Sequence, residues 1–131
     1  MKLSDSVRNA RLDAIESTTG TSAVLKVFSG AEPANCAAAD PSGLLVTMTL
    51  PSDWMAAASA GSKALTGTWS GTASSGSSTS PASYRIYASN GTTCHIQGSA
   101  GVSSGELQLN GSITSGQTVT VTSFTVTDPN G

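Results

Sequence analysis

The chain has 131 residues, a formal net charge of −2 and only 11% charged residues, against about 25% in an average soluble domain. Its basic residues (Lys2, Arg8, Arg11, Lys26, Lys63 and Arg85) are scattered among acids, which excludes the concentrated basic face of a nucleic-acid binder and the polybasic helix of a membrane-surface protein. No apolar run approaches the roughly 18 residues of a membrane span, and Arg8, Arg11, Asp13 and Glu16 stand where a secretory leader would be apolar, so the chain is expected to stay in the cytoplasm or leave it inside a larger object.

The first element is a helix from about Asp5 to Thr18. Ser4 is a good N-cap, Asp5 suits the positive end of the helix dipole, and Gly20 is a natural stop. Leu3, Val7, Ala10 and Ala14 mark an apolar stripe, widened by Leu12 and Ile15. That stripe must be covered by the body of the protein or by another subunit. Residues 1–20 are therefore expected as a helix that doubles as an interaction arm. Residues 21–131 are expected as one β domain.

After Gly20 the apolar period becomes two. Ala23–Phe28 and Leu44–Leu50 are strands, separated by a loop rich in turn residues, and Pro51 ends the second. Trp54 then stands in a turn, placed either to anchor that loop or to meet a partner. Ala64–Ser70 is a further strand carrying Trp69, which is expected in the core. Residues 71–81 are Ser/Gly-rich and are expected as an exposed, flexible loop that tolerates shortening.

Asn90-Gly91 between two alternating segments predicts a hairpin, and Asn110-Gly111 a second, from 106–109 to Ser112–Thr114. In the last strand, Thr118–Thr127, Val119 and Val121 share one parity and Phe124 and Val126 the other. Either both faces are buried, or a bulge near Thr122-Ser123 resets the phase, and the bulge is favoured. About seven or eight strands with these turn signals predict a mainly-β antiparallel sandwich or jelly-roll-like domain, preceded by one α-helix.

Residues capable of chemistry are few. The one histidine, His95, follows Cys94, and neighbours in a strand point to opposite faces. Cys36 and Cys94 have no CxxC partner. They fit two small, partly buried thiols, with a disulfide or an intermolecular bond as the open alternatives. The acids do not cluster as metal ligands, and no phosphate-binding glycine loop occurs. No cofactor, metal or catalytic site is expected, and the chain is expected not to be an enzyme. The residues placed at an interface are Leu3, Val7, Arg8, Arg11, Ile15 and Trp54.

Several segments resemble a family of small proteins of tailed bacteriophages and prophages. They are Ser4–Glu16, Pro33–Ala38, Leu50–Met55, Gly67–Trp69, Tyr84–Tyr87, Cys94–Gly98 and Val119–Thr125. The resemblance spans most of the chain outside 71–81 and carries no functional residues across. It implies a virion structural protein made in the host bacterial cytoplasm. The reading placed first is a capsid decoration, or cement, protein on the head surface. Its partners would be the major capsid protein and further copies of itself, as a dimer or trimer. A tail, collar or fibre-associated β module is the alternative, with a virion-borne hydrolase behind it.

Overall fold

In the computed structural model, which describes residues 1–131, helix α1 spans Asp5–Thr19. Ser4 is extended ahead of it, but its hydroxyl pairs with Ser6 Oγ rather than capping a backbone N–H. Gly20 ends the helix, its N–H donating to Glu16 O at 2.8 Å. Eight strands follow: β1 Val24–Phe28, β2 Leu44–Thr49, β3 Ser62–Ala64, β4 Ser70–Thr72, β5 Ser83–Tyr87, β6 Cys94–Gly101, β7 Leu107–Leu109 and β8 Thr118–Thr127.

The strands lie in the order β2-β1-β5-β6-β7-β8-β3, with β4 also paired to β8. Val46 in β2 bridges Ala73 just after β4, and the Ser74 N–H donates to Leu45 O at 2.9 Å. The sheet therefore curls until β4 links its last long strand back to β2. The mainly-β class with one leading helix is as the pattern predicted. Pairing connects all eight strands in one curled sheet, so the expected sandwich or jelly roll is not confirmed.

Three local expectations are corrected. The strands are not all antiparallel: β6 and β7 run parallel, Ala100 beside Leu107 and Gly101 beside Gln108. Residues 102–106 double back tightly enough to need no crossover helix, with Gly105 at φ +87° against the Ala100 backbone. Ala64–Ser70 is not one strand. β3 pairs with Thr125–Thr127 and β4 with Thr118–Thr120; between them only Thr66–Thr68 leave β8, while Leu65 and Trp69 still bond Phe124 O and the Val121 N–H, and the Trp69 ring enters the core. The second hairpin is not made either. Ile113 bridges Thr79 instead, which fastens the end of the Ser/Gly-rich segment to the body.

The expected bulge is present. Leu107 faces Phe124, Gln108 faces Ser123, and Leu109 faces Val121, so Thr122 is skipped. Val119, Val121 and Phe124 are all buried as a result. The Asn90-Gly91 hairpin forms as well, joining β5 to β6, with Asn90 Oδ1 accepting the Thr92 and Thr93 N–H groups at 2.9 and 3.0 Å.

The core fills the inside of the curl. Its aromatic spine runs Trp54, Trp69, Phe124, Tyr84, with successive ring centroids 5.9, 5.4 and 5.6 Å apart. β5 is buried on both sides. Tyr84 and Ile86 face the core. Ser83, Arg85 and Tyr87 face out and lie under residues 29–43. That covering loop is tied to β6 by a Cys36–Cys94 disulfide, so the reading of two free thiols is corrected. The pairing came about because the loop crosses the sheet where β6 begins, bringing the two Cα atoms to 5.4 Å.

Candidate contact surface around the N-terminal helix

The helix docks largely by its polar side, so the body of the protein covers only part of the apolar stripe. Leu12, 4% exposed, is its one fully buried apolar residue, joined by Thr19. Val7 is 45% exposed, and Ala10 and Ala14 are open to solvent too. What turns the polar side inward is a sheet edge that needs acceptors. Residues 55–61 form the outermost segment beside β3, with the Ala56 N–H donating to Ala64 O at 2.9 Å. Their outward N–H groups would otherwise be an open strand edge. The Gly61 N–H donates to Asn9 Oδ1 at 2.9 Å, Ala58 N–H to Asp13 Oδ1 at 3.0 Å, and Met55 N–H to Glu16 Oε1 at 3.1 Å. Asn9, Asp13 and Glu16 thus stand in for a neighbouring strand, spaced at steps of four and three on one helix face.

Lys63 completes this arrangement. Its side chain is 2% exposed, and its ammonium contacts Asp13 Oδ1 at 2.7 Å, Ala56 O at 2.8 Å and Glu16 Oε2 at 3.0 Å. Three donors meet three acceptors. Burial alone would lower the Lys63 pKa, but hydrogen bonds to Asp13 and Glu16 outweigh it and hold the pKa above the ordinary lysine value. The Lys63 hydrogen bond and the Ala58 N–H hold Asp13 below the usual carboxylate range. Burial works against Glu16, yet Lys63 and the Met55 N–H bring it below that range as well.

At its N-terminal end the helix grips the chain's last residues. Arg8 donates through Nη2 and Nε to Asp128 O at 2.7 and 3.1 Å, and pairs with Asp5 at 3.0 Å. Arg11 pairs with Asp128 at 3.0 Å. The Leu3 N–H donates to Asn130 O at 2.7 Å.

Open grooves run along both flanks of α1. One, of about 540 Å³, is lined by Asp13, Glu16, Asp53 and Lys63. The other, of about 570 Å³, is lined by Arg11, Ile15, Cys36, His95 and Ile96. The helix therefore stands proud of the sheet with Val7, Ala10 and Ala14 outward.

Of the residues expected at an interface, Val7 is exposed, Ile15 lines the second groove, and Leu3 is half-buried. Arg8 and Arg11 are engaged with the chain's own end. For Trp54 the interface placement is corrected and the loop-anchoring alternative holds: it is 0% exposed, with its indole N–H donating to Gly20 O at 3.0 Å. The turn after Pro51 points its ring into the sheet. Sequence reasoning put Ala10 and Ala14 on the apolar stripe without naming them at the interface, and it missed the Asn9–Asp13–Glu16 ladder. The signal for the ladder was present, since the polar residues keep helical spacing as faithfully as the apolar ones.

His95 is exposed. Strict alternation does not separate it from the cysteines, because β6 carries a bulge there: Ile96 faces Ile86 and Cys94 faces Tyr87. His95 and Cys36 consequently line one groove, but the sulfur is held in the disulfide and offers no thiolate. No group of three or more His, Cys, Asp or Glu side chains converges as metal ligands. No helix is long and apolar enough to cross a membrane. Compared with known proteins, the chain matches no family model, no curated sequence and no solved structure.

Proposed function

We propose that this chain is a non-catalytic structural subunit of a tailed-bacteriophage particle, a capsid decoration protein that binds the outer head shell and reinforces it. Its partners in this reading are the major capsid protein and other copies of itself. The observation that carries it is the outward side of α1. Val7, Ala10 and Ala14 form an exposed, uncharged strip on a helix whose Asn9, Asp13 and Glu16 are bonded to the sheet edge on its other side. A helix held this way presents a fixed surface with little to lose on contact, since its side chains there are short. The segments that resemble phage structural proteins, Ser4–Glu16 among them, include this helix.

Composition fits the same reading. A weakly charged Ser/Thr/Ala surface suits permanent contact with neighbours. The buried charges are each committed to a partner within the fold, so they hold structure rather than act on a substrate.

Purified virions carrying this protein give the test. Copy number comparable to that of the capsid subunit, with density on the head surface in an image reconstruction, is the expected result. A few copies per particle, confined to the tail or a vertex, would replace decoration by a tail or collar module. Val7→Asp and Ala14→Asp together are expected to abolish attachment to undecorated heads while leaving the melting temperature within a few degrees of the parent.

A further inference from the structure

We infer that the Cys36–Cys94 bond is a redox-set latch on residues 29–43: closed, it fixes this loop over β5; opened to two thiols, it lets the loop lift while the curled sheet stays folded. The first ground is what the loop covers. Arg85 donates to Asn35 O at 2.9 Å, Ala38 O at 3.0 Å and Asp40 Oδ1 at 2.9 Å, all on the loop. The Tyr87 hydroxyl donates to Asp40 Oδ1 at 2.6 Å, and Gln97 Nε2 to Pro33 O at 2.6 Å. Cys36 lies between these anchor points, so the disulfide fastens the loop at the middle of its polar contacts.

The second ground is what the loop lacks. None of residues 29–43 belongs to the hydrophobic core. Apart from the disulfide, the loop is held by hydrogen bonds and the Arg85–Asp40 pair, and by a stem where Ser29 and Gly30 pair with Gly43 and Ser42. The Arg85 Nε–H has no partner under it, so the covered site is incompletely satisfied. Polar contacts of this kind exchange readily for water once the cross-link no longer limits opening.

The third ground is access. Both cysteines are half-buried rather than sealed, and Cys36 lines the open groove beside α1. A small dithiol can attack one sulfur there. The Cys36–Cys94 bond breaks, two electrons and two protons pass to the two cysteines as thiols, and the reagent closes its own disulfide. Oxidised glutathione reverses the change. Disulfides persist where the surroundings are oxidising, so the loop would be mobile in a reducing cytoplasm and fixed outside the cell.

Hydrogen exchange on the full chain, oxidised with glutathione disulfide and then treated or not with dithiothreitol, tests this. The expected result is two thiols per chain after reduction, exchange roughly ten-fold faster in peptides from 29–43, and no change in peptides from 107–127. The Cys36→Ser, Cys94→Ser double variant should show the same pattern without reductant. Three results would overturn the inference: unchanged exchange in 29–43 on reduction, equal loss of protection in 107–127, or two thiols persisting after glutathione disulfide.

Discussion

Lys63 and Asp13 meet at 2.7 Å although 50 positions separate them, and this contact decides what the N-terminal helix is for. The Lys63 side chain is covered although its strand neighbours Ser62 and Ala64 are half-buried and exposed, and only the helix brings it carboxylates. Removing one partner of a buried pair leaves the other uncompensated. Asp13 and Glu16 still reach solvent, so the penalty falls below that of a sealed pair. Lys63→Ala is expected to lower unfolding free energy by about 2 kcal/mol, read as a shift in urea midpoint with unchanged slope.

Removing the helix is a heavier loss. Without residues 1–18, the Met55, Ala58 and Gly61 N–H groups lose their acceptors, Lys63 loses both carboxylates, and Leu12 leaves its site. The arm expected from the sequence is in this sense part of the fold. The truncated chain is expected to lose cooperative unfolding at neutral pH, and the uncovered 55–61 edge to promote self-association. Circular dichroism melts and light scattering check both. A soluble truncated chain with an unaltered melt would return the helix to the status of a free arm.

Four carboxylates set the response to acid. Against an opposing effect of burial, Asp13 and Glu16 are held low by the hydrogen bond of Lys63 and Asp40 by those of Tyr87 and Arg85. Asp128 is held low first by the Asn130 N–H. Each binds protons less readily folded than unfolded. Their contribution is therefore present above the unfolded values near pH 4 and lost as pH falls through the lower folded values. Lys63, raised, works at the other end: its contribution is full below about pH 10 and fades as pH rises through its folded value. Melting temperature is expected to be flat from about pH 5 to 9 and to fall steeply below pH 4. Asp40→Asn should lower the plateau and soften the acid limb.

Much of this fold was legible because single residues dictated it. The parity break between Val121 and Phe124 allows two solutions in a strand, burial of both faces or a bulge, and the skipped Thr122 is the favoured bulge. Asn90-Gly91 specifies its hairpin through the Asn90 side chain and a Gly91 at φ +72°. The helix was legible in extent but not in orientation, since its polar and apolar sides have equal periodicity. The choice between them was made by an edge at 55–61 that no local pattern announces. Trp54 and the cysteines stayed open between alternatives for the same reason: a turn residue's direction and a partner 58 positions away are settled by the whole chain.

The Ser/Gly-rich segment is exposed over much of its length, as its composition suggested, but it is also fastened to the body, and one glycine in it shows how. Residues 71–81 hold a strand partner at Thr72, a bridge at Ala73 and another at Thr79. Gly76 lies between them at φ +114°, and a Cβ there would come within 2.5 Å of the Ile113 carbonyl oxygen. That oxygen cannot yield, because Ile113 exchanges both backbone hydrogen bonds with Thr79 at 2.9 Å, and the Ser115 N–H holds Gly76 O at 3.0 Å. Gly76→Ala therefore meets both a strained backbone and a fixed obstacle, and is expected to cost about 2–3 kcal/mol. Gly111 is the matched control, with no positive φ and nothing within 4 Å of an added Cβ. Gly111→Ala is expected to be neutral or to add up to about 1 kcal/mol by restricting the unfolded chain. Chemical denaturation of the two variants side by side distinguishes a stitched segment from a free loop: equal stability of both would restore the flexible reading of 71–81.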